Sequence, residues 1–188
     1  MKAEIELHGK ECRHRPVECP VWDCLLKTVP FEKLLNHISQ VHRKDDDISK
    51  PKAYKPPSFH DYLEIDSRDF NGFAYWYPTQ LEMDGVSFFL SSIKQHGKWH
   101  FWVVFLGSQK EADKFEYSIR IVNENNKEEI MYRGPVISID NPSKKILDSG
   151  CCLTFTNNLA KRFMKKAKTS GFYKEDSILE YSLTLGTY

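Results

Sequence analysis

Many short runs of alternating apolar and polar residues, separated by turn formers, predict a mainly β protein built as an antiparallel β-sandwich. A second observation places a small module ahead of it: Cys19-x4-Cys24-x12-His37-x4-His42 has the spacing of a closed metal site. A third separates the two. RKDDDISKPKAYKPPS (43–58) is charged, rich in Lys and Pro and poor in apolar residues, the composition of a semi-extended linker. The expected division is a zinc-finger module at 1–43, a linker at 44–58 and the sandwich at 59–188.

Within the head, Pro30 suits the first turn of a helix, where its missing N–H has no intrahelical partner. From Phe31 onward, FEKLLNHISQVH sets Phe31, Leu34, Leu35, Ile38 and Val41 on one helical apolar stripe. Beyond the linker, DYLEI (61–65), GFAYWY (72–77) and VSFFLSSI (86–93) are the first strand candidates. KWHFWVVFLG (98–107) is apolar on both faces, with Trp99, Phe101, Val103 and Phe105 on one side and Trp102, Val104 and Leu106 on the other. Such a strand is expected at the centre of a sheet, covered twice. SQKE (108–111) reads as a Ser-x-x-Glu capping box over a short helical turn. KFEYSIRIV (114–122) alternates, turning Phe115, Tyr117, Ile119 and Ile121 inward. EEIMY (128–132), PVISI (135–139), CCLTF (151–155) and ILEYSLTL (178–185) complete the strands, and NNLAKRFMKKAK (157–168) is the one helical stretch expected in the body.

Composition narrows the function. Hydrophobic residues at 40% and aromatics at 13% are enough for a packed core. With 27 Lys+Arg against 26 Asp+Glu, the formal charge is +1. That gives no global field to attract nucleic acid. No apolar run approaches the ~20 residues of a membrane span, and MKAEIELHGK carries charges where a signal peptide is apolar. The expectation is a cytoplasmic or nuclear protein without membrane or nucleic-acid partners, its five cysteines serving as thiols or metal ligands.

The four-residue spacing explains itself chemically. A tight knuckle points two thiolates at one place, and a helix brings two imidazoles to the same point. Five helical residues rotate about 140° beyond a full turn, so His42 is expected from a loosened last turn. Four protein ligands leave no open position for water, so the site supports folding rather than catalysis. Two thiolates with two imidazoles suit zinc. Upstream, His8-x3-Cys12 has the spacing of the second half of another finger, a weaker candidate pair of ligands. Cys151 and Cys152 read as small hydrophobes. His60, His96 and His100 follow no spacing that would make a thiol catalytic, and no phosphate loop, G-x-S-x-G or H-E-x-x-H occurs. DNA reading by the finger finds little support: PFEKLLN offers one Lys and one Glu among leucines, and HRKDDD cancels its own charge.

CRHRP (12–16), CPVWDC (19–24) and HISQVH (37–42), followed by FLGSQKEADKFEYSIRI (105–121) and SGCCLTFTNNLAKRFM (149–164), resemble the seven-in-absentia (Siah) type E3 ubiquitin ligases. The resemblance implies a zinc finger followed by a TRAF-like β-sandwich that dimerises and binds substrate proteins for ubiquitination and degradation. In that family a RING recruits the E2. The cysteines here are too few to build one, so the chain would be the substrate-recognition half of such a ligase. It would hold no catalytic residues of its own. A RING-less zinc-finger/TRAF-like adaptor or competitor is the alternative, and a nucleic-acid-binding finger protein the second. The family grips short extended peptides with a Val-x-Pro core as an added strand. By order along the chain, DYLEI and AYWYPTQ (74–80) would line that groove, with Leu63, Ile65 and Trp76 as the peptide-binding residues.

Overall fold

The computed structural model describes residues 12–42, 52–53, 58–65, 72–166 and 177–188, and within them the alternating segments are strands of two packed sheets. In the head, β1 (Pro16–Glu18) and β2 (Thr28–Pro30) pair antiparallel around Val17 and Val29. A 3₁₀ turn at Phe31–Lys33 then opens into α1 (Leu34–Val41).

The first sheet of the sandwich is the antiparallel meander β5 (Ala74–Met83), β6 (Val86–Gln95) and β7 (Lys98–Phe105). Its two hairpins turn on Asp84-Gly85 and His96-Gly97. All four residues sit at positive φ, 53° and 78° in the first pair and 49° and 71° in the second. Two-residue turns of this kind match the right-handed twist of the strands, and glycine carries the second position without steric cost. β5 also contains a bulge at Tyr77-Pro78. Proline has no N–H for the ladder, so the extra residue falls where a bond was lost anyway.

Two short parallel pairs join this sheet: β3 (Lys52–Ala53) beside β5, and β10 (Ile137–Ser138) beside β7. β11 (Leu153–Thr156) lies antiparallel to the start of β7. The second sheet runs β4 (Phe59–Ile65), β13 (Ser177–Thr187), β8 (Phe115–Asn123) and β9 (Glu128–Pro135), with β12 (Lys165–Lys166) also along β13.

Between the sheets lies the main core. Trp99, Phe101, Val103 and Phe105 of β7 meet Tyr117, Ile119 and Ile121 of β8 and Leu179, Leu183 and Leu185 of β13. The other face of the first sheet carries a second core. There Phe89, Ile93, Trp102 and Val104 are covered by Val17, Val29 and Leu34 of the head and by Ile146 of α3 (Ser143–Ser149). β7 is thus buried on both faces, as its sequence requires.

Ser108 and Glu111 form the expected capping box at the start of α2 (Gln109–Ala112). Several elements differ from expectation. α4 stops at Phe163 (Asn157–Phe163), because Met164 turns extended and the following two lysines pair with β13. PVISI is divided: Pro135 closes β9, and Ile137–Ser138 form β10. α3 was not anticipated, although Gly150, in the left-handed conformation at its end, is the usual helix stop.

Candidate metal centre and the surface beside it

Local hydrogen bonds shape the knuckle. The Cys19 amide donates to the Lys27 carbonyl at 3.4 Å and the Cys24 amide to Val21 at 3.2 Å, turning both side chains to one side. α1 brings His37 to the same place. His42 follows from its C-cap, where its amide still donates to Ile38 at 3.2 Å but φ has moved to −105° and ψ to −1°. This is the loosened last turn that the i, i+5 spacing demands.

The ligand atoms converge. Cys19 Sγ lies 3.5 Å from His42 Nε2, Cys24 Sγ 3.3 Å from His37 Nε2, and the two Nε2 atoms 3.1 Å apart. All four ligand atoms fall within 4.8 Å of one another. Around tetrahedral zinc, with metal–sulfur bonds near 2.3 Å and metal–nitrogen bonds near 2.05 Å, ligand atoms stand about 3.3–3.8 Å apart. The constellation fits a metal ion of that kind, and the donor set is one that zinc favours. Cys19 and His37 are buried, whereas Cys24 and His42 are half-buried.

Without the metal's charge, burial and the neighbouring Cys24 push the Cys19 thiol up to about 12. Burial lowers both imidazoles, and His42 is lowered further by His37 beside it. The histidines are therefore neutral and ready to coordinate at pH 7, while a bound cation must displace a thiol proton. A bound ion would cross-link knuckle and helix, holding Val29 and Leu34 against the sheet.

Of the weaker pair, His8 lies outside the described residues. Cys12 is half-buried and not part of the cluster; its carbonyl accepts from the amide and Nη1 of Arg15. The apolar stripe of α1 is narrower than its pattern implies. Leu34 is buried, Phe31 and Ile38 are partly covered, and Leu35 and Val41 are exposed.

The proposed groove residues are distributed differently from one another. Leu63 and Ile65 point into the main core, so β4 offers a partner its backbone and the exposed Tyr62 and Glu64 rather than those two side chains. Trp76 spans the two sheets. Its ring stacks on Trp99 with centroids 5.1 Å apart, and its indole N–H donates to the Glu64 carbonyl at 2.8 Å. It ties β5 to β4 at the side where, among the described residues, the outer edges of β4 and of β5 from Ala74 to Gln80 have no strand partner.

Sequence reasoning missed the contacts that fasten the head to the sandwich. Arg15 Nε donates to Asp140 Oδ1 at 2.6 Å, and the Ser143 amide donates to Glu18 at 2.9 Å. Tyr75 donates its hydroxyl to Asp23 at 2.5 Å, while Trp22 packs on Phe73 with centroids 5.4 Å apart. These pairs are 52 to 125 residues apart in sequence for the hydrogen bonds, and no local pattern announces them. Cys152 is buried and its thiol raised by that burial, the reverse of an activated nucleophile.

No curated protein matches the chain. A family model described as "Sina, TRAF-like domain" matches residues 83–170, from the end of β5 to beyond β12. The stretch from the β5–β6 hairpin to the end of α4 is therefore similar to a TRAF-like domain, and such a domain implies protein–protein interaction.

Proposed function

We propose that the chain is the substrate-recognition part of a seven-in-absentia-like RING ubiquitin ligase, with zinc held by Cys19, Cys24, His37 and His42. The observation that carries this reading is the likeness of residues 83–170 to the Sina TRAF-like domain, set in a sandwich whose β4 and β5 edges beside the matched region have no strand partner among the described residues. Zinc supplies structure here: it closes the finger and leaves no ligand position for chemistry. An extended peptide with a Val-x-Pro core adds as a strand along the β4/β5 side, its backbone bonding to the open edge and its alternate side chains setting selectivity. Ubiquitin transfer then depends on a RING and its E2, which this chain positions toward a target. Self-association through the sandwich is part of the proposal, and a monomeric mass by light scattering would remove it.

The ligand side offers the cleanest test. A Val-x-Pro peptide is titrated calorimetrically beside a version N-methylated at alternate residues, which cannot complete a β-ladder. The methylated peptide should bind at least roughly tenfold more weakly, with amide shifts confined to 58–65 and 74–80. Equal binding of both peptides, or shifts elsewhere, refutes strand addition.

A further inference from the structure

Where the head meets the capping-box turn, a cleft of about 450 Å³ opens, walled by Phe31 and lined by Arg13, Arg15, Lys110, Lys114 and Glu111. Four cations face one carboxylate there, in a chain whose charge is only +1. The carboxylate is already committed. Glu111 accepts from the Ser108 amide at 3.0 Å and its hydroxyl at 2.7 Å, and those bonds lower its pKa. Neighbouring acids are occupied as well: Asp140 by Arg15, Asp113 by Gln109 and Glu32 by His14. Arg13, Lys110 and Lys114 are exposed and make no ion pair among the described residues.

Arg15 gives the cleft a fixed centre. Its guanidinium lies 3.9 Å over the Phe31 ring and its side chain is only 10% exposed. Nε is held by Asp140 and Nη1 by the Cys12 carbonyl, while Nη2 donates to no described residue. A guanidinium locked on two sides, its second amino group unclaimed by any described residue, is preorganised for an oxyanion, because the entropy of fixing the side chain is already spent.

We propose that this cleft binds an acidic segment of a protein partner, seating one carboxylate against Arg15 with Arg13, Lys110 and Lys114 around it. The size favours that occupant. A cleft of about 450 Å³ takes one or two side chains, less than the multi-nucleotide groove that tracks a nucleic-acid backbone. The Phe31 wall suits a peptide's aliphatic stem. This site is separate from the β4/β5 edge, so it stands or falls independently of strand addition.

The test uses the full zinc-loaded chain and fluorescein-labelled hexaglutamate, read by anisotropy at low salt. Lys110→Ala/Lys114→Ala and Arg13→Ala should each weaken binding, the double variant by roughly tenfold. Lys98→Ala/Lys144→Ala, which removes the same charge from exposed sites outside the cleft, should leave it unchanged. Circular dichroism and zinc content check that every variant folds. Equal loss in the control pair would mean that only net charge is sensed, and the site would be withdrawn. An oligodeoxynucleotide of matched charge that binds more tightly through the same residues would likewise overturn the acidic-peptide assignment.

Discussion

Leu34→Ala tests whether the head is an independent finger or a structural layer of the sandwich. Leu34 has no exposed surface and belongs to the core that contains Phe89, Trp102 and Val104 of the sheet. Truncating a fully buried leucine costs about 2–5 kcal/mol, the transfer term plus the cavity left behind. Taking about 3 kcal/mol, a chain of this size should lose roughly 6–12 °C in melting temperature. Urea unfolding of the zinc-loaded protein, followed by tryptophan fluorescence, should show one transition moved to lower denaturant with its slope unchanged. Leu35→Ala, one position along the same helix but 40% exposed, is the control and should change stability by less than about 1 kcal/mol. Two resolved transitions, with the sandwich transition unmoved in Leu34→Ala, would refute the shared core. So would equal losses from the two variants.

Metal titration should give one zinc per chain, lost in Cys24→Ser and His37→Ala and kept in Cys12→Ser; a second equivalent that Cys12→Ser abolishes would assign the weaker pair to a site of its own. Acid should strip one local support of the capping box. The folded pKa of Glu111 is depressed by the Ser108 bonds, so its contribution is complete above its ordinary value of 4.5 and fades as pH falls through the lower folded value. The gap in melting temperature between wild type and Glu111→Gln should accordingly be constant near neutrality and close as pH falls below the ordinary carboxylate value of 4.5; a gap independent of pH refutes the linkage.

Period and spacing carried much of this molecule. β7 reads as doubly covered because both of its faces are apolar, and β8 as one-faced because Glu116, Ser118 and Arg120 interrupt it. The convergence of Cys19, Cys24, His37 and His42 was legible for a similar reason: four side chains within a 24-residue span obey local geometry, and local geometry is what spacing encodes. What covers β7 on its outer side was not legible. Val17, Val29 and Leu34 look like a finger's own small core, and nothing in their spacing says that they also serve a sheet more than 50 residues further on. Leu63 and Ile65 illustrate the opposite difficulty. An alternating strand does not announce which face meets the core, and here the two residues proposed for the ligand are the two that the core takes.

Packing of the head onto the first sheet narrows where a peptide can add. That sheet's outer face is filled by Val17, Val29, Leu34 and Ile146. The second sheet carries Arg120–Glu129 and Arg133–Glu116 ion pairs between β8 and β9, with Lys165–Glu180 and Arg162–Glu128 beside them, a surface suited to water rather than to an apolar ligand. Apart from the short strands β3, β10, β11 and β12, the edges without a strand partner among the described residues are those of β9, β4 and the first part of β5. β9 bears Glu128, Glu129 and Arg133, and β4 bears Asp61 and Glu64, the charges by which proteins discourage pairing at an edge. From Ala74 to Leu81, β5 carries none, and Phe73, Tyr75 and Tyr77 form an aromatic row with centroids about 6 Å apart. Tyr75 is held there by Asp23 and Phe73 by Trp22, both from the knuckle between Cys19 and Cys24. The same few residues that shape the candidate metal site thus brace this uncharged edge. Loss of the metal should therefore weaken peptide binding at β5 without any ligand touching the finger.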